Sequence, residues 1–283
     1  MLRCLYVDLD GTLLGPGGSL FAGADHGFAL DAVRALQACD RAGVEVVIYS
    51  GRRQGNVFDA ARLLGHSAYI FELGCGLVVD GETEWLTDGL EPTPETTIFD
   101  QIALTGAPEL LLDQFAGRLE YHLPWAQGRE VSHLFRGDVP ADEAATLLDK
   151  SGLGRLRLVD NGVLAAHGMA LDGNVFGLDV DRVHVYHLMP ACASKSRAVA
   201  RHMQNRGYTA AECIAVGDSR EDLGAASVVG CFWLVANGLE ADPSIAAQVN
   251  GRPGVRVCEQ SYGAGVYEAV VTTLAAGRSS CGL

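Results

Sequence analysis

Several apolar runs in this chain stop abruptly on residues that carry chemistry. Leu2 to Val7 runs into Asp8-Leu9-Asp10-Gly11-Thr12, Val44 to Tyr49 into Ser50-Gly51-Arg52, and Cys213 to Val216 into Gly217-Asp218. Short apolar runs closed by Gly-containing turns read as buried strands followed by loops. Between them lie stretches of helical spacing. Phe28 to Ala42 repeats apolar residues at Ala29, Val33 and Leu36 and meets a stop at Gly43; Asn56 to Leu64 and Ser194 to Arg206 follow, the last with Ser194 as N-cap and Gly207 beyond its end. Further strands are expected at Ala68 to Phe71, Phe232 to Val235 and Val255 to Val257, and a closing helix from about Ala264 to Ala275. Strands alternating with helices predict an α/β fold, a Rossmann-like parallel-sheet core with helices on both faces.

The middle of the chain breaks this rhythm. After the Pro/Thr-rich Glu91-Pro92-Thr93-Pro94 come short strand-like pieces, among them Leu156 to Val159, Val163 to Ala166 and Val183 to His187. They predict an inserted α+β cap domain over residues 83–186, with the core built from 1–82 and 187–283.

Composition narrows the class of function. Hydrophobic residues make up 48% and charged residues 20% of the chain, which is incompatible with a disordered segment. A net charge of -14 repels nucleic-acid phosphates, so no nucleic-acid partner is expected. A small anion is still admissible where a local cation reverses the field. The eight cysteines form no C-x-x-C pair, and several sit in apolar runs, so they read as reduced core thiols. Met1 to Val7 is too short for the apolar region of a secretory signal, and Val228 to Ala236 is about half a membrane span. The expected location is therefore the cytoplasm, with no membrane partner.

In open α/β sheets, ligands bind beyond the carboxyl ends of the strands. Asp8 and Asp10 share one strand end; Asp218 ends another, and Asp222 follows four residues on, at a helix start. If these strands are neighbours, four carboxylates converge. They repel one another unless they take up protons or a cation. A hard divalent ion with oxygen ligands resolves the conflict, which predicts an Mg2+ site at Asp8, Asp10, Asp218 and Asp222. Ser50 and the Gly51 N–H suit a phosphate oxygen. Lys195, at a helix N-terminus, runs against the helix dipole, a conflict that a nearby anion would offset.

Asp8-x-Asp10-Gly-Thr, Ser50-Gly-Arg52, Lys195 and Gly-Asp218-x-x-x-Asp222 resemble, in order and spacing, the four motifs of the haloacid dehalogenase (HAD) superfamily. The insertion between the second and third motifs is similar to the α/β cap of its type IIB branch, which includes sugar-phosphate phosphatases and phosphomannomutase. The tail Gly265-Val-Tyr-Glu-Ala-Val resembles that branch's closing helix. The resemblance implies a phosphomonoester hydrolase acting on a small phosphorylated metabolite, a sugar phosphate or phosphoglycerate derivative. Asp8 would be the nucleophile that forms an aspartyl-phosphate. Asp10 would be the general acid and base, with its main-chain carbonyl on the metal. Asp218 would be the second direct ligand, and Asp222 would hold a metal-bound water or orient Lys195. Ser50, Gly51 and Lys195 would bind the transferring phosphoryl group.

Two departures from the resembled pattern stand out: Glu221 where that family often carries Asn, and Glu72-Leu73-Gly74 where it carries Glu-Asn-Gly. Arg52 and His187 are candidates for the substrate's remaining polar groups, with His133, Arg136 and Asn161 as further cap candidates. The alternatives are a phosphomutase using the same nucleophile and a non-catalytic metabolite-binding protein on the same scaffold.

Overall fold

The computed structural model describes residues 1–166 and 169–279. Its strands are Cys4–Val7 (β1), Glu45–Tyr49 (β2), Ala68–Phe71 (β3), Gly76–Val79 (β4), Glu82–Trp85 (β5), Leu119–Tyr121 (β6), His133–Gly137 (β7), Leu156–Val163 (β8), Ala165–Ala166 (β9), Met169–Ala170 (β10), His184–Pro190 (β11), Cys213–Gly217 (β12), Cys231–Leu234 (β13) and Val255–Val257 (β14). The α-helices are Asp31–Ala42 (α1), Gln54–Leu64 (α2), Ile98–Ala103 (α3), Ala107–Gln114 (α4), Ala141–Lys150 (α5), Lys195–Arg206 (α6), Arg220–Leu223 (α7), Ala236–Ala241 (α8), Ala246–Val249 (α9) and Tyr262–Ser279 (α10).

Eight strands form one sheet in the order β14-β13-β12-β1-β2-β3-β4-β5. The six from β14 to β3 are parallel, and β4 and β5 add antiparallel strands at one edge. The chain leaves the central β1 toward β2 and β3 and later returns to its other side through β12. That reversal makes the end of β1 the switch point at which such sheets bind ligands. Both faces are covered. Helices α1, α2 and α10 pack Ala35, Cys39, Val57, Ala61, Val266 and Val270 on one face, while α6 packs Ala198, Val199 and Met203 on the other. The expected parallel core with helices on both faces is observed.

Four antiparallel strands, β6-β7-β11-β8, make a second sheet. Helices α3, α4 and α5 close one face with Ile98, Ile102, Leu111, Ala144 and Leu148, against Phe135, Tyr186 and Leu188. Alternation along a strand sends neighbours to opposite faces. Leu134, Val185 and His187 accordingly turn the other way, into a pocket shared with the large sheet.

The expected boundaries at 82/83 and 186/187 both cut strands: β5 pairs in the large sheet and β11 in the small one. The hairpin between β4 and β5 turns at Asp80 and Gly81, both at positive φ. An Asp-Gly pair between strands favours this turn and marks it in the sequence. Helix α1 also starts later than expected, at Asp31. Phe28 bridges Ala22 and stacks on Phe21, with ring centroids 5.6 Å apart, so it belongs to the preceding loop.

Candidate active site

Strand register sets the site. Val7 aligns with Val216, so the next residues of β1 and β12 emerge side by side, and the Asp8 N–H donates to the Val216 carbonyl at 3.1 Å. The side chains of Asp8, Asp218 and Asp222 then offer oxygens within 4.8 Å of one another. Gly11 permits this crowding. It sits at φ +80, and a Cβ there would lie 2.3 Å from an Asp218 oxygen. Asn237 at the start of α8 ties the same loop down. Its Nδ2 donates to the Gly11 carbonyl at 2.8 Å, and its Oδ1 accepts from Tyr262 N at 2.9 Å.

Lys195 comes to this cluster from the first turn of α6. Ser194 caps that helix by accepting from Arg197 N at 3.1 Å. A tight turn after β3 lets the helix start approach: Glu72, Leu73 and Gly74 all have positive φ, and a Cβ on Gly74 would lie 2.1 Å from the Ser194 carbonyl. The Lys195 ammonium donates to Asp8 Oδ1 at 2.7 Å and to Asp222 Oδ1 at 2.6 Å, with its side chain only 3% exposed. Burial alone would lower its pKa, but the Asp222 and Asp8 charges outweigh burial and raise it. Asp222 Oδ2 accepts from Ser219 Oγ at 2.6 Å, Ser219 N at 3.0 Å and Asp218 N at 3.2 Å, so both its oxygens are engaged.

Asp8 and Asp218 are less well compensated. Burial, and then the Asp222 and Asp218 charges, push the Asp8 carboxyl well up, against the pull of Lys195. Burial and Asp222 push Asp218 up to about 7, against Lys195 and a 3.1 Å hydrogen bond from Thr12 Oγ1. Two adjacent carboxylates, one buried and one half-buried, that favour protonation in this way are a fit for a hard divalent cation.

Asp10 departs from the expected convergence. Its side chain is 56% exposed and does not join the other three carboxylates. The Arg52 guanidinium grips it in a fork, donating Nε to Oδ2 at 2.6 Å and Nη2 to Oδ1. Bidentate pairing of this kind outcompetes an approach to the other acids. Ser50 is buried, and its Oγ accepts from Arg52 N at 3.2 Å.

Asp8, Asp10, Ser50, Gly51, Arg52, His187, Lys195 and Asp218 all line one pocket of about 1290 Å3 between the two sheets. Asn161 lines it too, whereas His133 and Arg136 do not. His133 stacks on Phe99 with centroids 3.7 Å apart and bonds Tyr121 Oη at 2.8 Å. Arg136 pairs with Glu120 and lies over the Phe176 ring. Leu73 is fully buried among Cys75 and Ile98, so its apolar side chain serves packing. Glu221 turns toward β8, 3.8 Å from Arg157.

Sequence reasoning missed Arg129, Glu130 and Ser132, which join the two sheets. Glu72 is wholly buried and accepts from Glu130 N at 2.8 Å, Ser132 N at 2.6 Å and Ser132 Oγ at 2.7 Å, with Arg129 Nε 3.5 Å away. Burial would raise the Glu72 pKa, but Arg129 and these donors overcome it and lower it. Arg129 Nη2 donates to the Gly51 carbonyl at 2.7 Å. His187 is held by Ser132 Oγ at 3.1 Å, and burial followed by the Arg129 and Lys195 charges depresses its pKa strongly. No sequence periodicity marks these loop residues; the one available signal is the Glu72-Leu73-Gly74 turn that they cover.

No protein-family model matches the sequence. A phosphoglycolate phosphatase from Methanoculleus marisnigri is 26% identical over 271 residues, covering 95% of this chain and 96% of that protein. Among solved structures, the sucrose-phosphatase of Synechocystis sp. PCC6803, in complex with sucrose and phosphate, superposes with a TM-score of 0.64 at 15% identity, over 96% of this chain and 98% of that one. A HAD superfamily phosphatase from Bacteroides thetaiotaomicron gives a TM-score of 0.62 at 14% identity, over 96% and 95% of the two chains. These likenesses establish the fold. Over its full length the chain is similar to a phosphoglycolate phosphatase, and it shares the fold of a phosphatase of the haloacid dehalogenase superfamily.

Proposed function

We propose that the protein is a magnesium-dependent phosphomonoester hydrolase of the type IIB branch, acting on a small phosphorylated metabolite such as a sugar phosphate or a phosphoglycerate- or phosphoglycolate-type acid. The observation that carries this reading is the buried bridge in which one ammonium, Lys195, joins Asp8 to Asp222 while Asp218 stands alongside. Lys195 bonds two carboxylates and a third lies within 4.8 Å of both, more negative charge than one ammonium neutralises. Asp8 and the adjacent Asp218 are the carboxylates left to hold Mg2+, with the Asp10 carbonyl as the expected third protein ligand. When bound, Mg2+ neutralises charge on the transferring phosphoryl group.

The chain's own residues then divide the work. Asp8 attacks phosphorus, and Lys195 and Ser50 hold the phosphoryl oxygens. Asp222, with both oxygens engaged, fixes Lys195 and the start of α7 rather than binding the cation directly. Asp10 protonates the leaving oxygen and then accepts a proton from water. To do so it must leave the Arg52 fork, which frees that guanidinium for a second anionic group of the substrate. Although the chain carries a net charge of -14, the cations Arg52, Arg53, Arg129, Arg182 and Lys195 line the pocket together with Asp8, Asp10, Asp218 and Glu240. The basic set supports a substrate with more negative charge than its phosphate alone.

Residues 83–186 are the proposed cap, adjusted so that β5 stays with the core sheet and β11 with the cap sheet. Seven cysteines of the described residues are free thiols, which supports the proposed cytoplasmic location; Cys281 lies outside the described residues. No helix of the described residues is long and apolar enough to cross a membrane. A panel of phosphomonoesters that includes phosphoglycolate and sugar phosphates tests the reading. Phosphate release that stops on chelation is the expected result, and no release from any member by the folded, Mg2+-loaded protein is the contrary one.

A further inference from the structure

A second group of ligand-type side chains lies at the opposite end of the large sheet from the pocket. Cys4 opens β1, and the register sets it beside Glu45 of β2 on one side and Cys213 of β12 on the other. His202, seven residues along α6 from Lys195, comes down on the same face. Ligand atoms of Cys4, Glu45 and His202 all lie within 4.8 Å of one another.

The histidine supplies an independent observation. Its ring is wholly buried, and Tyr6 Oη fixes Nδ1 at 2.8 Å. Nε2 is left buried with no hydrogen-bond partner among the described residues. Glu45 Oε1 is its nearest charged atom at 3.7 Å, beyond hydrogen-bond reach. A buried polar nitrogen without a partner is costly. A histidine oriented through one ring nitrogen, with the other free and aimed at a thiol and a carboxylate, is the usual arrangement of a metal ligand.

We propose a structural site for a zinc-class divalent cation, ligated by Cys4 Sγ, His202 Nε2 and a Glu45 oxygen. Thiolate and imidazole donors select zinc or cobalt over magnesium, which prefers six oxygens. Glu45 Oε2 accepts from Tyr208 Oη at 2.9 Å and Oε1 from Arg206 Nε at 3.1 Å, so one of these bonds must be given up when the cation binds. Arg206 shares its charge with Asp80 at 2.7 Å, so it does not neutralise Glu45 alone. The cation would tie α6 to β1 and β2. Asp8 and Lys195 sit at the other ends of β1 and α6, so the site would brace the elements that carry them.

The probe is Co2+ added to the full-length, metal-stripped protein in excess Mg2+, followed by thiolate-to-cobalt charge-transfer absorption. The expected result is one Co2+ per chain with that absorption, displaced by Zn2+. Cys4→Ser and His202→Asn should each weaken binding at least about tenfold, while Asp218→Asn should leave the absorption unchanged. Absence of the absorption in folded wild-type protein overturns the proposal whatever the variants do. Absorption that persists at full strength in both ligand variants also overturns it. None of these readings depends on phosphatase activity.

Discussion

The Arg129 guanidinium donates a 2.7 Å hydrogen bond to the carbonyl of Gly51, and so ties the loop after β2 to a buried residue between β6 and β7. The same guanidinium lies 3.5 Å from Glu72, whose side chain is fully buried. One side chain therefore holds both the Gly51 peptide that lines the pocket and the turn that seats the start of α6.

Arg129→Ala should be strongly destabilising. Removing one partner of a buried ion pair leaves the other uncompensated, at a cost of about 3–5 kcal/mol. Urea unfolding should show that loss. The double variant Arg129→Met with Glu72→Gln should recover a large part of it, because no unpaired charge remains. Equal losses in the single and double variants would show that the pair is not the source.

Asp10→Asn should lower kcat by about 10²–10⁴-fold, the usual contribution of a positioned general acid and base. Arg52→Ala should act differently. It releases Asp10, so kcat should change little, while KM rises for substrates with a second anionic group. Steady-state kinetics on a carboxylated and an uncharged phosphomonoester would separate the two effects.

Metal and pH should be linked through Asp218. Its pKa is raised to about 7 in the metal-free fold by burial and Asp222, whereas an unfolded Asp titrates near about 3.9. The folded state thus holds an extra proton between these values. A raised acid stabilises the fold at low pH, and that contribution fades as pH rises toward and through about 7. Thermal melts in chelator should therefore fall from about pH 5 to pH 8. Adding Mg2+ should raise Tm more at pH 8 than at pH 6, because the cation competes with that proton. A larger Mg2+ effect at pH 6 would reverse the assignment.

Gly74→Ala should reduce kcat without abolishing folding. The added Cβ meets the Ser194 carbonyl and Lys195 N at 2.1 and 2.9 Å, so the start of α6 must move. A displacement of this size at the lysine proposed to hold the phosphoryl group is expected to cost about 100-fold in rate. Circular dichroism should confirm the fold while turnover falls.

Much of the site was legible because strand ends announce themselves. Asp8, Ser50 and Asp218 each close an apolar run, and Lys195 follows a capping serine, so one-dimensional signals sufficed. Asp10 was legible as a residue but not as a geometry, since its fork with Arg52 joins positions 42 residues apart. Arg129, Glu130 and Ser132 escaped because they sit in a loop with neither helical nor alternating period, and their importance arises only once Glu72 is buried beneath them. The boundaries of the inserted segment were blurred for a related reason: β5 and β11 look like strands, but sequence does not state which sheet each will join.

The most direct test is acid quench of a single turnover with a substrate from the panel in Mg2+, followed by mass spectrometry of the peptide that contains Asp8. A phosphoryl group on Asp8 is expected in wild-type protein, and neither that adduct nor phosphate release in Asp8→Asn. Phosphate formed at wild-type rate by Asp8→Asn, or turnover that leaves Asp8 unmodified at every quench time, would contradict it.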